Sequence, residues 1–210
     1  MKDNTRIILF TALLAVICAL LLAGSTLLTA PYRQANEKAE EVRNFLEVLG
    51  APLQGASDSR ELLALFNREV RVKTLGPLTI YEYFPESGSR DRPAAVAVPF
   101  MGMGLWGPIK GVLALEPDLR TIKGISFYQQ EETPGLGGEI ASGWFRRQFE
   151  NKRILSPEGK AEFRVLKPGA QAGPTAVDGI TGATMTSQRV GLMLDELARS
   201  IAEERGAYVQ

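Results

Sequence analysis

The chain has 210 residues, with 24 basic and 24 acidic side chains and no histidine, a length that suits one ordinary domain plus an appendage. The balanced charge gives no reason to expect nucleic acid as a partner, and the missing histidine excludes His-based triads and most zinc sites. The single cysteine, Cys18, permits neither an intrachain disulfide nor a cluster held by cysteines of this chain. Any redox chemistry must therefore come from an organic cofactor.

The first element is apolar. From Ile7 to Tyr32 the chain carries 26 residues without a charge, more than the ~20 a helix needs to cross a bilayer core. A cleaved signal peptide is the competing reading, with Lys2 and Arg6 as its basic start. The run exceeds the usual ~7–15 apolar residues, however, and Leu28-Thr29-Ala30 puts Leu where a cleavage site wants a small residue. An uncleaved anchor is expected. The flanks hold Lys2 and Arg6 before the span against Arg33, Lys38 and Arg43 after it, so the positive-charge tally assigns no orientation.

Beyond the anchor, Val42, Phe45, Leu46 and Leu49 recur at helical spacing ahead of Gly50. Residues 57–70 predict a second helix capped by Ser57 or Asp58. Strands are predicted at 78–84, 94–100, 109–116 and 121–129, the first pair joined by a turn-rich segment and the last pair by a tight hairpin. A helix follows near Ile140–Phe149, then a strand near Phe163–Leu166. The last helix, Ser187–Arg205, aligns Val190, Leu194, Leu197 and Ile201 and meets Gly206. Strands gathered in the middle with helices at both ends predict an α+β domain built on an antiparallel sheet with flanking helices.

Three glycine-rich stretches are candidates for chemistry. Gly102-x-Gly104-x-x-Gly107 matches the dinucleotide fingerprint formally, but Pro108 and a strand follow where that fingerprint requires a helix. This stretch reads instead as a turn between strands, with Trp106 either packed in the core or offered to a flat cofactor. In "EETPGLGGE", residues 131–139, the adjacent Glu131 and Glu132 point to opposite faces and do not form an acid/base dyad. Thr133-Pro134-Gly135 predicts a tight turn that leaves the N–H groups of Leu136 to Gly138 exposed. In "TAVDGITGATMTSQRVG", residues 175–191, small residues are interleaved with Asp178, Thr181, Thr184, Thr186 and Ser187 directly before a helix. That arrangement serves either as a helix cap or as a phosphate site, since helix N-termini attract phosphate.

Asp178-x-x-Thr181-Gly182-Ala183-Thr184 resembles the flavinylation motif Asp-x-x-Ser/Thr-Gly-Ala-Thr/Ser of FMN-binding domains. "GLWGPIKGVLALEPD", "ETPGLGGE" and "VDGITGATMTS" together resemble, in order, the NqrC family of the sodium-translocating NADH:quinone reductases (Nqr). RnfG of the Rnf complexes is the sister family and the first alternative, with a membrane-anchored structural or sensory module as the second. The resemblance implies FMN bound covalently through its phosphate to Thr184, with Asp178, Thr181, Gly182 and Ala183 completing the motif. It also implies that the loop of Thr133, Pro134, Gly135, Leu136 and Gly137 lies against the isoalloxazine ring, with Trp106 as a further candidate contact. The implied partners are the other subunits of a membrane respiratory complex and a flavin transferase for maturation; no catalytic residue and no metal ligand set is expected.

The implied organisation is a cytoplasmic segment 1–6, a membrane helix 7–30, a helical connector 31–75 and an FMN-binding domain 76–210. That domain would lie on the periplasmic side of the bacterial inner membrane. Two departures stand out: Gln130 occupies a position where those relatives commonly carry His, and the chain is shorter than a typical NqrC. A proton-handling role for that His is not carried over.

Overall fold

A computed structural model describes residues 2–53, 58–88 and 91–209. The chain divides into two compact units, Met1–Ala39 and Glu40–Gln210. Helix α1 (Lys2–Leu49) carries the apolar run and continues through Pro31 without a break, where the pattern suggests two separate helices. A proline inside a helix removes one ladder N–H and crowds the carbonyl four residues back, but the turns on either side supply enough helical hydrogen bonds to hold the element together. The helix includes an 18-residue window of mean hydropathy 2.9, none of it buried in the protein. It is long and apolar enough to cross a membrane, a test that signal sequences also pass. Three of its threonine hydroxyls are satisfied internally: Thr11 donates to the Ile7 carbonyl (2.9 Å), Thr26 to Leu22 (2.8 Å) and Thr29 to Ser25 (2.9 Å). Such back-bonding hides donors that an apolar medium could not satisfy.

In the second unit, the end of α1 leads to α2 (Ser59–Glu69), where the Asp58 N–H donates to the Glu61 carboxylate at 3.4 Å. Ser57, the other expected cap, lies outside the described residues. Five strands then form one antiparallel sheet in chain order: β1 (Val70–Leu75), β2 (Leu78–Tyr83), β3 (Ala95–Met103), β4 (Pro108–Leu115) and β5 (Ile122–Gln129). Strand β1 was not expected. Its Val-Arg-Val-Lys alternation directly follows a helix, and the Gly76–Pro77 connection folds it back so that Leu75 pairs Leu78 and Val70 pairs Tyr83.

Both faces of this sheet are covered. Alternate β3 residues Ala95 and Ala97 join Val42, Phe45, Leu46, Leu49 and Leu62 on one side. Val96, Val98 and Phe100 join Val190, Leu194, Leu197 and Ile201 on the other. Hence Ala95–Val98 is buried continuously, the pattern of a strand with no solvent face.

The expected helix at 140–149 is broken in two. A 3₁₀ turn at Gly137–Ala141 and α3 (Gly143–Arg147) flank Ser142, which is extended and donates its hydroxyl to the Glu139 carbonyl (2.6 Å). Phe145 and Phe149 are nevertheless fully buried, and Phe149 stacks on Phe163 at 5.6 Å. Strand β6 (Arg164–Leu166) pairs in parallel with β7 (Ala176–Asp178), a strand that the sequence pattern does not reveal.

Helix α4 (Thr184–Val209) begins earlier than predicted and runs past Gly206. Tertiary contacts hold its last turn: Tyr208 donates its hydroxyl to Glu82 (2.9 Å), and the Lys73 ammonium lies 5.1 Å from the Tyr208 ring centre. Leu194 is 0% exposed and Leu192, on the same helix, is 64% exposed. Leu194→Ala should therefore lower unfolding free energy by about 2–5 kcal/mol, while Leu192→Ala should stay within ~0.5 kcal/mol of wild type. Denaturant titration of the two variants checks this; equal midpoints would contradict the core assignment.

Candidate functional site

Three segments far apart in sequence meet at one end of the sheet. They are the β3–β4 turn (104–107), the loop after β5 (131–138) and the loop entering α4 (179–183). Between them lies a cavity of about 270 Å³ whose walls include Leu105, Trp106, Thr133, Leu136, Gly182 and Thr184. A larger cleft of about 750 Å³, against α2, contains none of the residues singled out above. Chemistry rather than size selects the smaller one.

Each loop has a local reason for its shape. Met103 pairs Pro108 across the β3–β4 hairpin, and the Gly104 N–H donates to the Gly107 carbonyl at 2.8 Å. The three glycines at 102, 104 and 107 thus serve a strand–turn–strand, as Pro108 indicated, and no helix follows them. In the second loop the Leu136 N–H donates to the Thr133 carbonyl (3.1 Å), with Gly135 at φ +75°. Pro and a left-handed Gly at the two central positions make a type II turn. The Gly138 N–H also bonds to Thr133 (2.9 Å). This corrects the expectation of free N–H groups: at Leu136 and Gly138 they are spent inside the loop. The third loop places Gly182 at φ +80°, and a Cβ there would meet Leu136 Cδ2 at 2.9 Å. The left-handed backbone is what favours glycine at that position, and a side chain there would also have to displace that of Leu136.

The three segments are joined by Glu132, which is 5% exposed. Its carboxylate accepts the Leu105 N–H at 2.7 Å, the Trp106 N–H at 3.3 Å and the Thr186 hydroxyl at 2.6 Å. Its own N–H donates to the Gln130 side-chain carbonyl at 2.6 Å. Space for this side chain comes from glycines, because a Cβ at Gly104 or Gly137 would collide with the carboxylate.

At the start of α4 three hydroxyls have different surroundings. Thr186 is 2% exposed and donates to Glu132; Ser187 is 3% exposed and accepts the Ile180 N–H at 3.0 Å. Thr184 is exposed and lines the cavity. The first turn of α4 carries no acidic residue of its own, but the Glu132 carboxylate reaches it at Thr186 and partly offsets the positive end of the helix dipole. A phosphate at Thr184 would meet a small-residue approach through Gly182 and Ala183 and a favourable helix end. Leu136 and Trp106 offer apolar surface on which a flat ring system fits.

Of the residues singled out from sequence, Thr184, Gly182, Ala183, Thr133, Leu136, Gly137 and Trp106 line this cavity. Pro134, Gly135 and Thr181 are exposed in the same loops but do not line it. Asp178 also lies outside the cavity lining, at the end of β7. Its N–H donates to the Gln148 side chain at 2.9 Å, and its Oδ1 is buried without a hydrogen-bond partner among the described residues. Trp106 is 68% exposed, which overturns the core alternative for it. Glu132 was missed as a structural centre, although a signal existed: if adjacent side chains point oppositely, one of Glu131 and Glu132 must turn inward. Met185 and Leu105 were also missed, because helix and turn patterns alone do not say which exposed apolar residues share a cavity.

Residues 104–198 match the FMN-binding domain family, and this stretch contains all three of the segments that line the cavity. The chain is similar to NqrC proteins, each named as a subunit of Na(+)-translocating NADH-quinone reductase. It is 42% identical to the one from Vibrio anguillarum over 109 residues, 51% of this chain and 42% of that protein. It is 26% identical to the one from Pasteurella multocida over 223 aligned positions, covering 87% of this chain and 85% of that protein. The match thus spans less than half of the Vibrio protein's length. A crystal structure of NqrC from Shewanella oneidensis has the same fold, with a TM-score of 0.70 at 23% identity over 83% of this chain and 99% of that one.

The tight glycine contacts lead to a direct test. A Cβ on Gly137 would sit 2.6 Å from both Glu132 Oε2 and Thr186 Oγ1, whereas one on Gly135 meets nothing within 4 Å but keeps φ +75°. Gly137→Ala should cost about 1–3 kcal/mol by overpacking, and Gly135→Ala about 1 kcal/mol by backbone strain. Denaturation midpoints measure both. A Gly137→Ala variant as stable as wild type would mean the carboxylate and hydroxyl are not held against Gly137.

Proposed function

We propose that this chain is a membrane-anchored electron carrier with FMN esterified through its phosphate to Thr184. It would work as the NqrC component of a Na⁺-translocating NADH:quinone reductase. One observation carries the attachment site: of the three hydroxyls in the first turn of α4, Thr184 is exposed in the cavity, while Thr186 and Ser187 are buried and hydrogen-bonded. Thr184 also occupies the last position of the flavinylation motif. The matched family and the names of the relatives support FMN and the reductase as its context.

Bound FMN would supply the electron-accepting and electron-donating chemistry, and the protein would bind and orient it. Leu136 and Trp106 would hold the ring system, Gly182 and Ala183 would admit the phosphate, and the N-terminus of α4 would offset part of its charge. At about 270 Å³ the cavity falls just below the ~300–1,000 Å³ of ligand pockets that enclose their guests. Part of the flavin would therefore stay outside it, which suits a carrier that exchanges electrons with neighbouring subunits. A flavin transferase would install the cofactor. The apolar stretch of α1 would anchor the chain in the bacterial inner membrane, with Met1–Arg6 cytoplasmic and the flavin domain on the periplasmic side.

Co-expression with a flavin transferase tests the attachment. Fluorescence on a denaturing gel and peptide mass spectrometry should find the mass of FMN less one water on Thr184. Thr184→Ala should abolish it and Thr184→Ser should retain some, since the nucleophilic oxygen survives. A fluorescent band that persists in Thr184→Ala and vanishes in Thr186→Ala would move the attachment point; no covalent flavin on wild type would remove the covalent reading. Topology is checked separately by reporter fusions at Gln210. A fusion active only in the cytoplasm is incompatible with a periplasmic flavin domain.

A further inference from the structure

Resting on the reading that a flavin occupies this cavity, we propose that Glu132 is its positioning residue: it sets the spacing between the Trp106 turn, the ring loop and the attachment helix, and places a carboxylate in the cavity wall. The geometry supports this from both sides. Oε1 accepts the N–H groups of Leu105 and Trp106, and Oε2 accepts the hydroxyl of Thr186. One buried side chain therefore bonds to the turn that carries Trp106 and to the helix turn that carries Thr184, two residues before Thr186. Its own main chain is part of the third segment, and the Gln130 side chain fixes it by accepting the Glu132 N–H.

Alternative holders are few among the described residues. The β3–β4 turn has one internal bond, from Gly104 to Gly107. Trp106 is itself largely exposed, so packing does not fix the turn. The neighbouring Glu131 carboxylate lies near Gly107, where a Cβ would come within 2.6 Å of its Oε2, but its side chain is exposed and takes no bond from the turn amides. Hydrogen bonds to a buried carboxylate are strong, and losing the acceptor leaves buried donors unsatisfied. Removing the Glu132 side chain would release the turn and strand the Thr186 hydroxyl.

The test uses the full chain with three substitutions. The first readout needs no flavin: amide hydrogen exchange at Leu105 and Trp106 in a Thr184→Ala background. Glu132→Ala should speed exchange at both amides by about tenfold or more, the size expected for hydrogen bonds to a carboxylate. Glu132→Gln keeps a carbonyl acceptor of the same reach and should hold exchange within about threefold of the parent. The second readout uses the flavinylated chain. Glu132→Gln should raise the flavin midpoint potential, because a neutral amide replaces a carboxylate that opposes added electrons, and the flavin should remain on Thr184. Thr186→Val cuts only the arm to α4; it should leave Leu105 and Trp106 exchange near the parent value while shifting the absorption spectrum of the attached flavin. Parental exchange in Glu132→Ala, or an unchanged potential in Glu132→Gln, would overturn the proposal. Should Glu132→Ala not fold, the Glu132→Gln potential and the Thr186→Val spectrum decide it, and parental values in both overturn it. If wild type acquires no covalent flavin, the functional reading fails instead, and the exchange data still decide whether Glu132 organises the cavity.

Discussion

A five-stranded sheet of this composition cannot present either face to water. Ala95 to Val98 are buried without interruption, and β4 is buried from Gly111 to Leu115. Each face must therefore be roofed by a helix from outside the sheet. The end of α1 and α2 take one face, and α4 takes the other through Val190, Leu194, Leu197 and Ile201. Once α4 is laid down by that burial, its first turn arrives at the end of the sheet where the β3–β4 turn and the loop after β5 emerge. The cavity is a consequence of the roofing: the hydrophobic term that stabilises the domain also delivers Thr184 to Trp106 and Leu136.

Burial alone leaves the loops around such a cavity free to shift. Here polar bonds take over from packing, concentrated on Glu132 and, beside it, on Ser187, which accepts the Ile180 N–H and closes the loop ahead of α4. The small residues of the third loop serve this arrangement too. A Cβ on Gly179 would run into the Leu166 carbonyl and one on Gly182 into Leu136. The glycines therefore let the third loop pack closely against β6 and against the Leu136 side chain. In the same hydroxyl-rich run Thr186 and Ser187 tie the start of α4 to Glu132 and to the Ile180 N–H, and Thr184 stays exposed in the cavity, where the phosphate-site reading needs it.

Much of this was legible in the order of residues alone. Helical spacing found the buried faces of α1 and α4, because burial of one stripe imposes its period on the sequence. Four of the five sheet strands were visible as apolar runs between turns. Strand β1 was not, because Val70–Leu75 follows α2 without a turn to mark its start, and four of its six residues are exposed. The 140–149 helix looked continuous because Ile140, Phe145 and Phe149 do all face the core; only the bond from Ser142 to Glu139 reveals the break. Gly206 suggested a helix end that the contacts of Tyr208 with Glu82 and Lys73 override.

By itself the sequence determined the apolar length of α1, the α+β class and the identity of the three loops that could carry chemistry. These depend on local composition, periodicity and residue size, which need no partner to be read. Tertiary structure alone decided that the three loops share one cavity, that Trp106 faces outward, that Glu132 rather than Glu131 turns inward, and that Thr184 is the exposed hydroxyl among its neighbours. Each of those outcomes depends on which side of an element faces the core. That side is set by contacts between residues tens of positions apart, such as Thr186 with Glu132, and no local pattern encodes them.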